Sequence, residues 1–407
     1  MRTAIVVGAG IVGLSTAWHL QERGYEVTVV DGKGVAAGSS WGNAGWLTPG
    51  KAIPLAHPSL WLSGPQGLLD PDAALHVPLR FDLNLWSFFA RFMAHANNRS
   101  WDKTMAGLTP IDKIALEHFD EMVDGGVDSW TREGPFVIGF EEEKQAVGFK
   151  HEIAGVVRHG QEVPFERLSD PSELAPVLSE RVKSVYRLDG QRFLEPGPFT
   201  HALGDAVAAR GAKMKFGHNV SAVLQGRQPA VLLKNGEQLR ADKLVLATGA
   251  WLPKLARQFG VRTRVQAGRG YSFSVATEKP QNYPVYLPHA RLACTPYQGR
   301  FRIAGTMEFR RPDEPLQPRR IQAIVKQASQ LFTGVDLSDR KDEWVGSRPV
   351  TPDGLPLVGA TRAENIFVAG GHGMWGFVLG PATGKLLAEK IDTGRTNPAI
   401  APFDPLR

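Results

Sequence analysis

Cysteine, long apolar runs and concentrated charge are all scarce in this sequence of 407 residues. Its single cysteine, Cys294, excludes an intramolecular disulfide and any zinc or iron–sulfur site built from several cysteines, so we predict no metal centre. The sequence also lacks a stretch of roughly 20 apolar residues, the length that a membrane-spanning helix requires. It starts with a strand pattern rather than a basic and apolar export signal, and we therefore expect a cytoplasmic protein.

The positive charge of the chain is spread out. The formal net charge is +6, but basic residues cluster only in short pairs such as Arg310–Arg311 and Arg319–Arg320. A dispersed excess of this kind is typical of a solvated surface, so we expect no nucleic-acid partner. Attraction of an anionic substrate remains open.

The clearest motif lies in the first 31 residues. Ala4–Val7 and Val27–Val30 are short apolar runs typical of buried parallel strands, and helical apolar spacing lies between them. The segment Gly8–Gly13 has the G-x-G-x-x-G spacing, in which the first glycine allows a tight turn and the second lets a pyrophosphate approach. The third lets helix and strand pack closely, and Asp31 ends the second strand where a carboxylate accepts hydrogen bonds from a ribose. The motif predicts a dinucleotide and does not choose between NAD and FAD.

A second ligand-binding segment is predicted directly after this motif. Gly32–Gly50 contains GSSWGNAGWLTPG, which is too rich in glycine, serine and asparagine for a regular element. Ser39, Ser40 and Asn43 offer side-chain hydrogen bonds, so we interpret the segment as a loop laid over the cofactor. The alternative is an ordinary surface loop.

Strand and helix patterns alternate along the rest of the chain, which predicts an α/β fold. A helix is expected from Asp82, with a wide apolar face. The residues predicted on that face are Leu83, Trp86, Phe89, Ala90 and Met93, widened by Phe88 and Phe92. Such a face is more often core than a surface that docks on a membrane, and a peripheral membrane contact remains the alternative. The cofactor-type patterns fall in separate pieces of the chain, so we expect interleaved domains.

Several separated motifs agree with one family. They are GAGIVG at Gly8–Gly13, SSWGNAG at Ser39–Gly45, ATGAW at Ala247–Trp251, RGYSF at Arg269–Phe273, RPVTPDGLPLVG at Arg348–Gly359 and GHGMWG at Gly371–Gly376. In these residues and in their order the chain resembles the FAD-dependent D-amino-acid oxidase superfamily, and most of all the D-amino-acid dehydrogenases. The resemblance favours FAD over NAD.

The resemblance also implies how the chain is divided. It implies a Rossmann-type FAD-binding domain, made of residues 1–60, 190–258 and 342–395. This domain would be interleaved with an α+β substrate domain that contains an antiparallel sheet, made of residues 61–189 and 259–341.

Carried over to this sequence, the resemblance implies a set of FAD contacts. They are Gly8, Gly10, Ile11, Val12, Gly13, Asp31, Lys33, Ser39, Ser40, Asn43, Ala44, Gly45, Trp46, Leu47, Val220, Gly249, Trp251, Gly371, Gly373, Met374, Trp375, Gly376 and Phe377. Family members that bind flavin covalently carry a cysteine shortly before the T-P-D segment. Ser347 and Arg348 stand in that region here, so the resemblance implies noncovalent FAD.

The same resemblance implies the substrate site. Arg348 would bind the substrate carboxylate as a bidentate pair, with Tyr271 nearby. His372 would tune the flavin or orient the substrate, and His57 is a further pocket candidate. Alone, these residues would be read as a surface salt bridge, a core aromatic and ordinary histidines.

The function implied is oxidation of the carbon–nitrogen bond of an α-amino acid, of D configuration, by hydride transfer to flavin N5. The product would be an imino acid, then a 2-oxo acid and ammonia. Electrons would leave to a quinone or respiratory carrier, or to oxygen, at the inner face of the membrane if the enzyme is peripheral. Three alternatives remain: a glycine, sarcosine or hydroxyproline oxidase of the same superfamily, a tRNA-modifying flavoprotein, and a noncatalytic FAD subunit of an electron-transfer complex. The oligomeric state is not predicted.

Overall fold

The computed structural model of the chain describes residues 2–61, 70 and 72–407. In these ranges the helices are α1 (Ile11–Glu22), α2 (Leu83–Ala94), α3 (Asn98–Asp112), α4 (Glu117–Asp124), α5 (Glu143–Arg158), α6 (Pro196–Ala209), α7 (Leu252–Ala256), α8 (Pro318–Leu331) and α9 (Gly380–Thr393). Short 3₁₀ turns cover Pro49–Lys51, Gly249–Trp251, Arg257–Phe259 and Pro398–Phe403.

The strands supply two large sheets and two small ones. They are β1 (Arg2–Val7), β2 (Tyr25–Asp31), β3 (Trp46–Leu47), β4 (Leu75–His76), β5 (Arg132–Glu133), β6 (Phe136–Phe140), β7 (Phe165–Leu168), β8 (Ser184–Leu188), β9 (Arg192–Phe193), β10 (Lys213–Phe216), β11 (Val220–Leu224), β12 (Ala230–Leu233), β13 (Gln238–Arg240), β14 (Lys243–Leu246), β15 (Gln266–Thr277), β16 (Val285–Leu287), β17 (Leu292–Tyr297), β18 (Arg300–Phe309), β19 (Val335–Val350), β20 (Leu357–Ala360) and β21 (Ile366–Gly370).

The first large sheet has six strands in the order β10-β2-β1-β14-β21-β20. Its strands are parallel except for β20, which pairs antiparallel with β21 at the edge. Ala4 and Val6 are buried on one face of the sheet and Ile5 and Val7 on the other, as expected for parallel strands covered on both faces. The strand order reverses at β1, which places a crevice for a ligand at the carboxyl ends of β1 and β14.

The helices on one side of this sheet pack closely around α1. The side chains of Leu14 and Trp18 on α1 are fully buried, and the core here also contains apolar residues of α3, α4, α6 and α9. Gly384 on α9 lies so close to Ser15 that a Cβ at residue 384 would meet the α1 backbone at 2.6–2.7 Å. The glycine therefore allows the two helices to touch, and α9 is fixed against the helix that starts at the glycine-rich turn.

The second large sheet has nine strands, with the path β19-β15-β18-β17-β16-β6-β8-β7 and β4 paired to β18. Most pairs are antiparallel, and the pairs β16–β6 and β18–β4 are parallel. On one face Tyr271 and Phe273 pack with Ile321 and Ile324 of α8. Because α8 covers this face, the opposite face of the nine-stranded sheet is the one turned toward the six-stranded sheet.

Both large sheets confirm the α/β class with an added antiparallel sheet. The division into two interleaved domains at the stated residues stays a prediction, and β19 runs across the expected boundary at residue 342. No helix in the described residues is long and apolar enough to cross a bilayer.

Helix α2 forms where it is expected but buries a different face. Asp82 caps it, because its carboxylate accepts hydrogen bonds from the backbone N–H groups of Asn84 and Leu85 at 3.0 and 3.2 Å. The residues fully buried on α2 are Leu85, Phe88 and Phe92, which pack around Phe309 and Met307. Leu83, Trp86 and Ala90, predicted to face the core, are exposed, and Phe89 and Met93 are half-buried.

Candidate functional site

A deep cavity lies at the carboxyl ends of β1, β2, β14 and β21, between the two large sheets. Val7, Asp31, Thr248 and Gly370 mark these strand ends, and all of them line the cavity. Residues of the antiparallel sheet close it from the other side, among them Trp344 and Arg348 of β19. The cavity therefore occupies the crevice that the strand order predicts.

The glycine-rich turn between β1 and α1 forms one wall. Gly8 has φ of +116°, which favours glycine, and a Cβ at residue 13 would collide with the carbonyl oxygen of Gly8. Gly10 is the N-cap residue and offers no side chain to the first turn of α1. The backbone of this turn, with its positive dipole end, therefore faces the cavity.

Asp31 is fixed at the end of β2. Its carboxylate accepts hydrogen bonds from the backbone N–H groups of Ala9 at 2.9 Å, Lys33 at 2.8 Å and Gly34 at 3.1 Å. Asp31 and Lys33 both line the cavity. The carboxylate is therefore oriented by the backbone and retains lone pairs for a ligand hydroxyl.

The loop of residues 39–45 crosses between the two sheets and is held at both ends. Ser39 Oγ donates to the carbonyl oxygen of Ser347 at 2.5 Å. At the other end, the backbone N–H of Leu194 donates to the carbonyl oxygen of Gly45 at 2.9 Å. Ser40 Oγ accepts from the N–H of Ile11, the first residue of α1, at 3.0 Å.

Between its ends the loop is tied to the antiparallel sheet. Three side chains donate to carbonyl oxygens of the loop: Arg302 Nη1 to Trp41 at 3.3 Å, Ser272 Oγ to Gly42 at 2.7 Å, and Thr295 Oγ1 to Ala44 at 2.6 Å. The loop is therefore part of the rigid contact between the two sheets.

Arg348 places a positive charge in the cavity. Its guanidinium lies over Gly270, so close that a Cβ at residue 270 would occupy the same space. In the described residues Arg348 has no hydrogen-bond acceptor and no acidic partner. Burial lowers the pKa of Arg348 to about 10, so the side chain stays charged at neutral pH. An unpaired, charged fork of this kind is suited to a planar anion such as a carboxylate.

Trp344 stands beside Arg348 on the same face of β19. Residues 344, 346 and 348 alternate with residues of the other face, and their register partners on β15 are Ser272, Gly270 and Gly268. The indole lies against Gly42 and Gly346, where a Cβ on either glycine would collide with it. Gly346 thus leaves room for the indole and Gly270 for the guanidinium, so that both lie flat on the sheet.

His372 lines the cavity near the end of β19. It is 2 % exposed, forms an isolated bridge with Val350, and its Nε2 lies 3.1 Å from the hydroxyl of Thr383 in the first turn of α9. Burial lowers the pKa of His372 to about 4, so the imidazole is neutral at physiological pH. It orients the loop that enters α9 rather than supplying a charge.

Residues 3–390 match the model of the DAO family, described as FAD dependent oxidoreductase. This chain belongs to the DAO family of FAD-dependent oxidoreductases. Similar solved structures cover almost the whole chain and share its fold. Glycine oxidase from Geobacillus kaustophilus is 22 % identical with a TM-score of 0.74, over 100 % of this chain and 98 % of that one.

Two further structures are similar over nearly their whole length. L-proline dehydrogenase from P. horikoshii is 18 % identical with a TM-score of 0.72, covering 100 % of this chain and 97 % of that one. Iminodiacetate oxidase from Chelativorans sp. BNC1 is 16 % identical with a TM-score of 0.72, covering 99 % of both chains. The family membership makes FAD the cofactor.

The residues of the cavity fit the FAD that the family binds. The glycine cradle at Gly8–Gly13 has no side chain in the way of a pyrophosphate, and the α1 N-terminus faces that position. Asp31 is placed for an adenosine ribose, and the cavity continues past Ser39 and Asn43 to Arg348 and the loop after β21.

Most of the residues predicted to hold FAD do line this one cavity. They are Gly8, Gly10, Ile11, Val12, Gly13, Asp31, Lys33, Ser39, Ser40, Asn43, Val220, Gly249, Trp251, Gly373, Met374, Gly376 and Phe377, joined by Arg348 and His372. Their individual roles stay predictions.

The other predicted FAD contacts pack against neighbouring protein instead of lining the cavity. Trp46 donates to Thr295 Oγ1 at 2.8 Å, Leu47 is fully buried in the core, and Trp375 donates to the carbonyl oxygen of Ile53 at 2.7 Å. The remaining three, Ala44, Gly45 and Gly371, lie in irregular segments next to lining residues in the chain. These six residues support the site from behind.

Tyr271 lies on the other face of the sheet. Its register partner is Val345, so it alternates with Gly270 and points away from Arg348. Its hydroxyl donates to Glu308 in the buried face, and burial, followed by that hydrogen bond, raises the pKa of Tyr271. The expectation that Tyr271 lies near the substrate carboxylate is therefore corrected. Successive residues of a strand point to opposite faces, so Tyr271 points away from the cavity that its neighbour Gly270 faces.

His57 does not line the cavity either. It is half-buried, its Nδ1 lies 2.9 Å from Ser59 Oγ, and burial lowers its pKa, with smaller contributions from Arg291 and Lys51. Its charged neighbours are the cations Arg291 and Lys51. The prediction that His57 lines the substrate pocket is therefore not supported by its position.

Sequence reasoning missed several residues of the lining, including Asn219, Asp313 and Trp344. The signal for Trp344 is present in W-x-G-x-R, because alternate residues of a strand share a face and Gly346 leaves space between the two large side chains. Asp313 reaches the cavity through an irregular loop, where it accepts from Trp251 Nε1 at 2.9 Å, and no sequence pattern marks it.

Proposed function

We propose that this FAD-dependent oxidoreductase oxidises the Cα–N bond of an α-amino acid, of D configuration, and that Arg348 binds the substrate carboxylate. The observation that carries the proposal is the unpaired guanidinium of Arg348 in the cavity, held over Gly270. The three similar structures are named for glycine, L-proline and iminodiacetate, and each of these compounds carries a carboxylate one carbon away from an amine.

The two large side chains on this face of β19 have separate tasks. Arg348 forms two parallel hydrogen bonds to the carboxylate and thereby fixes the orientation of the α-carbon. Trp344 closes the adjacent side with an apolar wall and excludes water from that part of the pocket. Because Gly270 and Gly346 carry no side chains, the guanidinium and the indole lie flat on the sheet, and the substrate binds above them.

The residues of the cavity would hold FAD, which would supply the acceptor for the hydride of the α-carbon. The substrate ammonium must lose its proton beforehand so that the nitrogen lone pair can assist. His372 is a poor proton acceptor, because its pKa is about 4 and its Nε2 is engaged with Thr383. We propose that the proton leaves to water, so that turnover rises with pH until the substrate amine is deprotonated. The resulting imino acid is hydrolysed to a 2-oxo acid and ammonia.

Three further features belong to the proposal. FAD is held noncovalently, since Cys294 is fully buried in β17 and the cavity-lining segment before the T-P-D motif contains serine and arginine. The electron acceptor is a quinone or respiratory carrier, or oxygen. The FAD-binding and substrate-binding parts follow the boundaries expected from the sequence.

The deciding experiment is an anaerobic titration of the yellow holoenzyme with a panel of D- and L-amino acids, glycine, sarcosine and hydroxyproline. D-amino acids should bleach the flavin and their L-enantiomers should not. Bleaching by L-enantiomers alone would overturn the configuration, and bleaching only by glycine or secondary amines would favour the amine-oxidase alternative. A holoenzyme that no member of the panel reduces, but that dithionite does, would overturn the substrate class.

A further inference from the structure

A group of metal-binding side chains lies where helices α1 and α4 pack together, and the proposed reaction does not use it. A ring nitrogen of His19 and carboxylate oxygens of Glu22 and Glu121 lie within 4.8 Å of one another. We call these three residues the histidine–glutamate cluster, and they do not line the cavity. The shortage of cysteine, from which we predict no metal centre, does not exclude such a site, because zinc also binds imidazole and carboxylate.

The same sequence motif contributes to the cluster from both helices. Residues 19–22 of α1 and residues 118–121 of α4 each have the sequence H-x-x-E. Residues three apart lie on one face of a helix, so each histidine stands beside its own glutamate. In both motifs the histidine Nδ1 lies 2.9 Å from Oε2 of that glutamate. His118 therefore holds Glu121, and the packing of the two helices brings this carboxylate to His19.

The imidazole of His19 is buried more deeply than its hydrogen bonds justify. The residue is 0 % exposed, and in the described part of the chain its Nε2 has no hydrogen-bond partner. A buried polar atom without a partner lowers stability, so an apolar side chain would suit the core better at this position. A bond from this histidine to a metal ion would offset that cost, because the free energy of metal binding adds to that of folding.

Two cations already lie beside the carboxylates of the cluster. Lys385 of α9 donates to both carboxylate oxygens of Glu121, at 2.9 and 2.8 Å, and Arg210 Nη1 lies 3.7 Å from Glu22 Oε1. The side chain of Lys385 is 32 % exposed, so it can turn to solvent when a divalent ion takes its place. Arg210 is stacked on Trp18, 3.9 Å from the ring centroid, and stays where it is.

The donor atoms select the kind of ion. One imidazole nitrogen and two carboxylates match zinc, which binds nitrogen and oxygen donors with a small number of ligands. Calcium requires more oxygen ligands than the cluster offers, and imidazole is not a usual ligand of magnesium.

We propose that His19, Glu22 and Glu121 bind a Zn²⁺ ion that ties α1 to α4. Helix α1 begins at the glycine-rich turn, so the ion braces the helix behind one wall of the cavity. The site is structural and is independent of which substrate the enzyme oxidises.

The test is calorimetric titration of Zn²⁺ into the FAD-loaded enzyme after treatment with a chelator. The wild-type enzyme should bind a single ion per chain, and Glu121→Gln should lower the affinity at least ~10-fold, because a ligand is lost. Lys385→Met should raise the affinity, because it removes the competing ammonium. The matched control is His159→Gln, which removes a histidine 3.2 Å from Asp102, a pair outside the cluster, and should leave zinc binding unchanged.

A second measurement separates the site from adventitious binding and from misfolding. Zinc should raise the Tm of the wild-type holoenzyme and of His159→Gln but not that of Glu121→Gln, because only an ion bound between α1 and α4 stabilises their packing. Every variant should retain its FAD. Failure of the wild-type enzyme to bind zinc overturns the proposal. Equal zinc affinity in the wild type and Glu121→Gln also overturns it, because the ion would then be held elsewhere.

Discussion

The two faces of the β15–β19 ladder each carry an arginine, fully buried at Arg269 and half-buried at Arg348, and the two differ in what surrounds them. Arg269 donates to the carbonyl oxygens of Glu314 and Pro315 and lies 3.9 Å from Glu308. Arg348, paired one residue along the same ladder, finds no protein acceptor in the described residues and faces the cavity. The positive charge of Arg269 is therefore compensated within the protein, whereas that of Arg348 is available to a ligand in the cavity.

This difference lies in the hydrogen-bond acceptors and acidic groups around each arginine, and neither the residue type nor the sequence motif reveals it. Both arginines stand in motifs shared with the family, and both are enclosed. The carbonyl oxygens and the carboxylate around Arg269 offset the cost of burying its charge. For Arg348 burial lowers the pKa, and residues 2–61, 70 and 72–407 offer its guanidinium no acceptor, which supports the proposal that its anion is a ligand.

The largest effect is expected from removing the free arginine. Arg348→Ala should lower kcat/KM for the amino acid by about 10³-fold, because losing one partner of an enclosed charge pair costs about 3–5 kcal/mol. Steady-state kinetics with a dye acceptor would measure it. FAD content and Tm should be kept, and Arg348→Lys should fall between the two, since lysine retains the charge and loses the fork. Unchanged turnover in the alanine variant would contradict the carboxylate assignment.

The opposite result is expected on the other face. Arg269→Met should reduce the free energy of unfolding by about 3 kcal/mol, because Glu308 loses a neighbouring cation and two carbonyl groups lose their donor. Denaturant unfolding of the holoenzyme would measure this, with Arg348→Met as the matched control. If both variants lost stability equally, the contrast between the two arginines would be wrong.

A smaller effect follows from the neutral His372 at the end of the ladder. The unfolded imidazole takes up a proton with a pKa of 6.5, whereas the folded one stays neutral to about pH 4. The unfolded state therefore binds more protons in this window, and stability falls as the pH drops through it. The free energy of unfolding should decrease by about 2 kcal/mol more between pH 7 and pH 5 than in His372→Gln. Parallel pH profiles of the two proteins would contradict the assignment.

The smallest effect is expected at Tyr271. Tyr271→Phe should cost about 1 kcal/mol of stability through the lost hydrogen bond to Glu308. KM for the amino acid should stay within about twofold, because the hydroxyl lies on the face away from the cavity. A tenfold rise in KM without a change in Tm would return this residue to the substrate site.

The glycine-rich turn and Asp31 could be predicted from spacing because they are local in the chain. Gly8, Gly13 and Asp31 lie within one β-turn-α-β unit, and the spacing alone fixes the turn, the close approach and the carboxylate. The antiparallel sheet could be predicted only as an architecture. Which face of this sheet is turned toward the cofactor depends on pairing between strands whose residues are about 80 apart in the chain. The spacing of residues within one motif does not predict such pairing.

The misplaced residues illustrate that limit. Tyr271 lies one position from Gly270, so an error of a single residue in the facing of β15 moves it from the cavity to the core. Helix α2 is apolar on most of its circumference, and its buried face is decided by Phe309 on a distant strand. The pattern therefore predicted the helix and its cap but not which aromatic residues are buried.

The hydrogen bonds that tie residues 39–45 to four strands and to Leu194 have a thermodynamic consequence. These four strands belong to the antiparallel sheet, and Ser40 joins the same loop to Ile11 at the start of α1, which follows β1 of the parallel sheet. A ligand in the cavity therefore stabilises a segment that is bonded to both halves of the molecule. Emptying the cavity should then lower the melting temperature of both sheets together, and the holoenzyme should melt as a single cooperative unit.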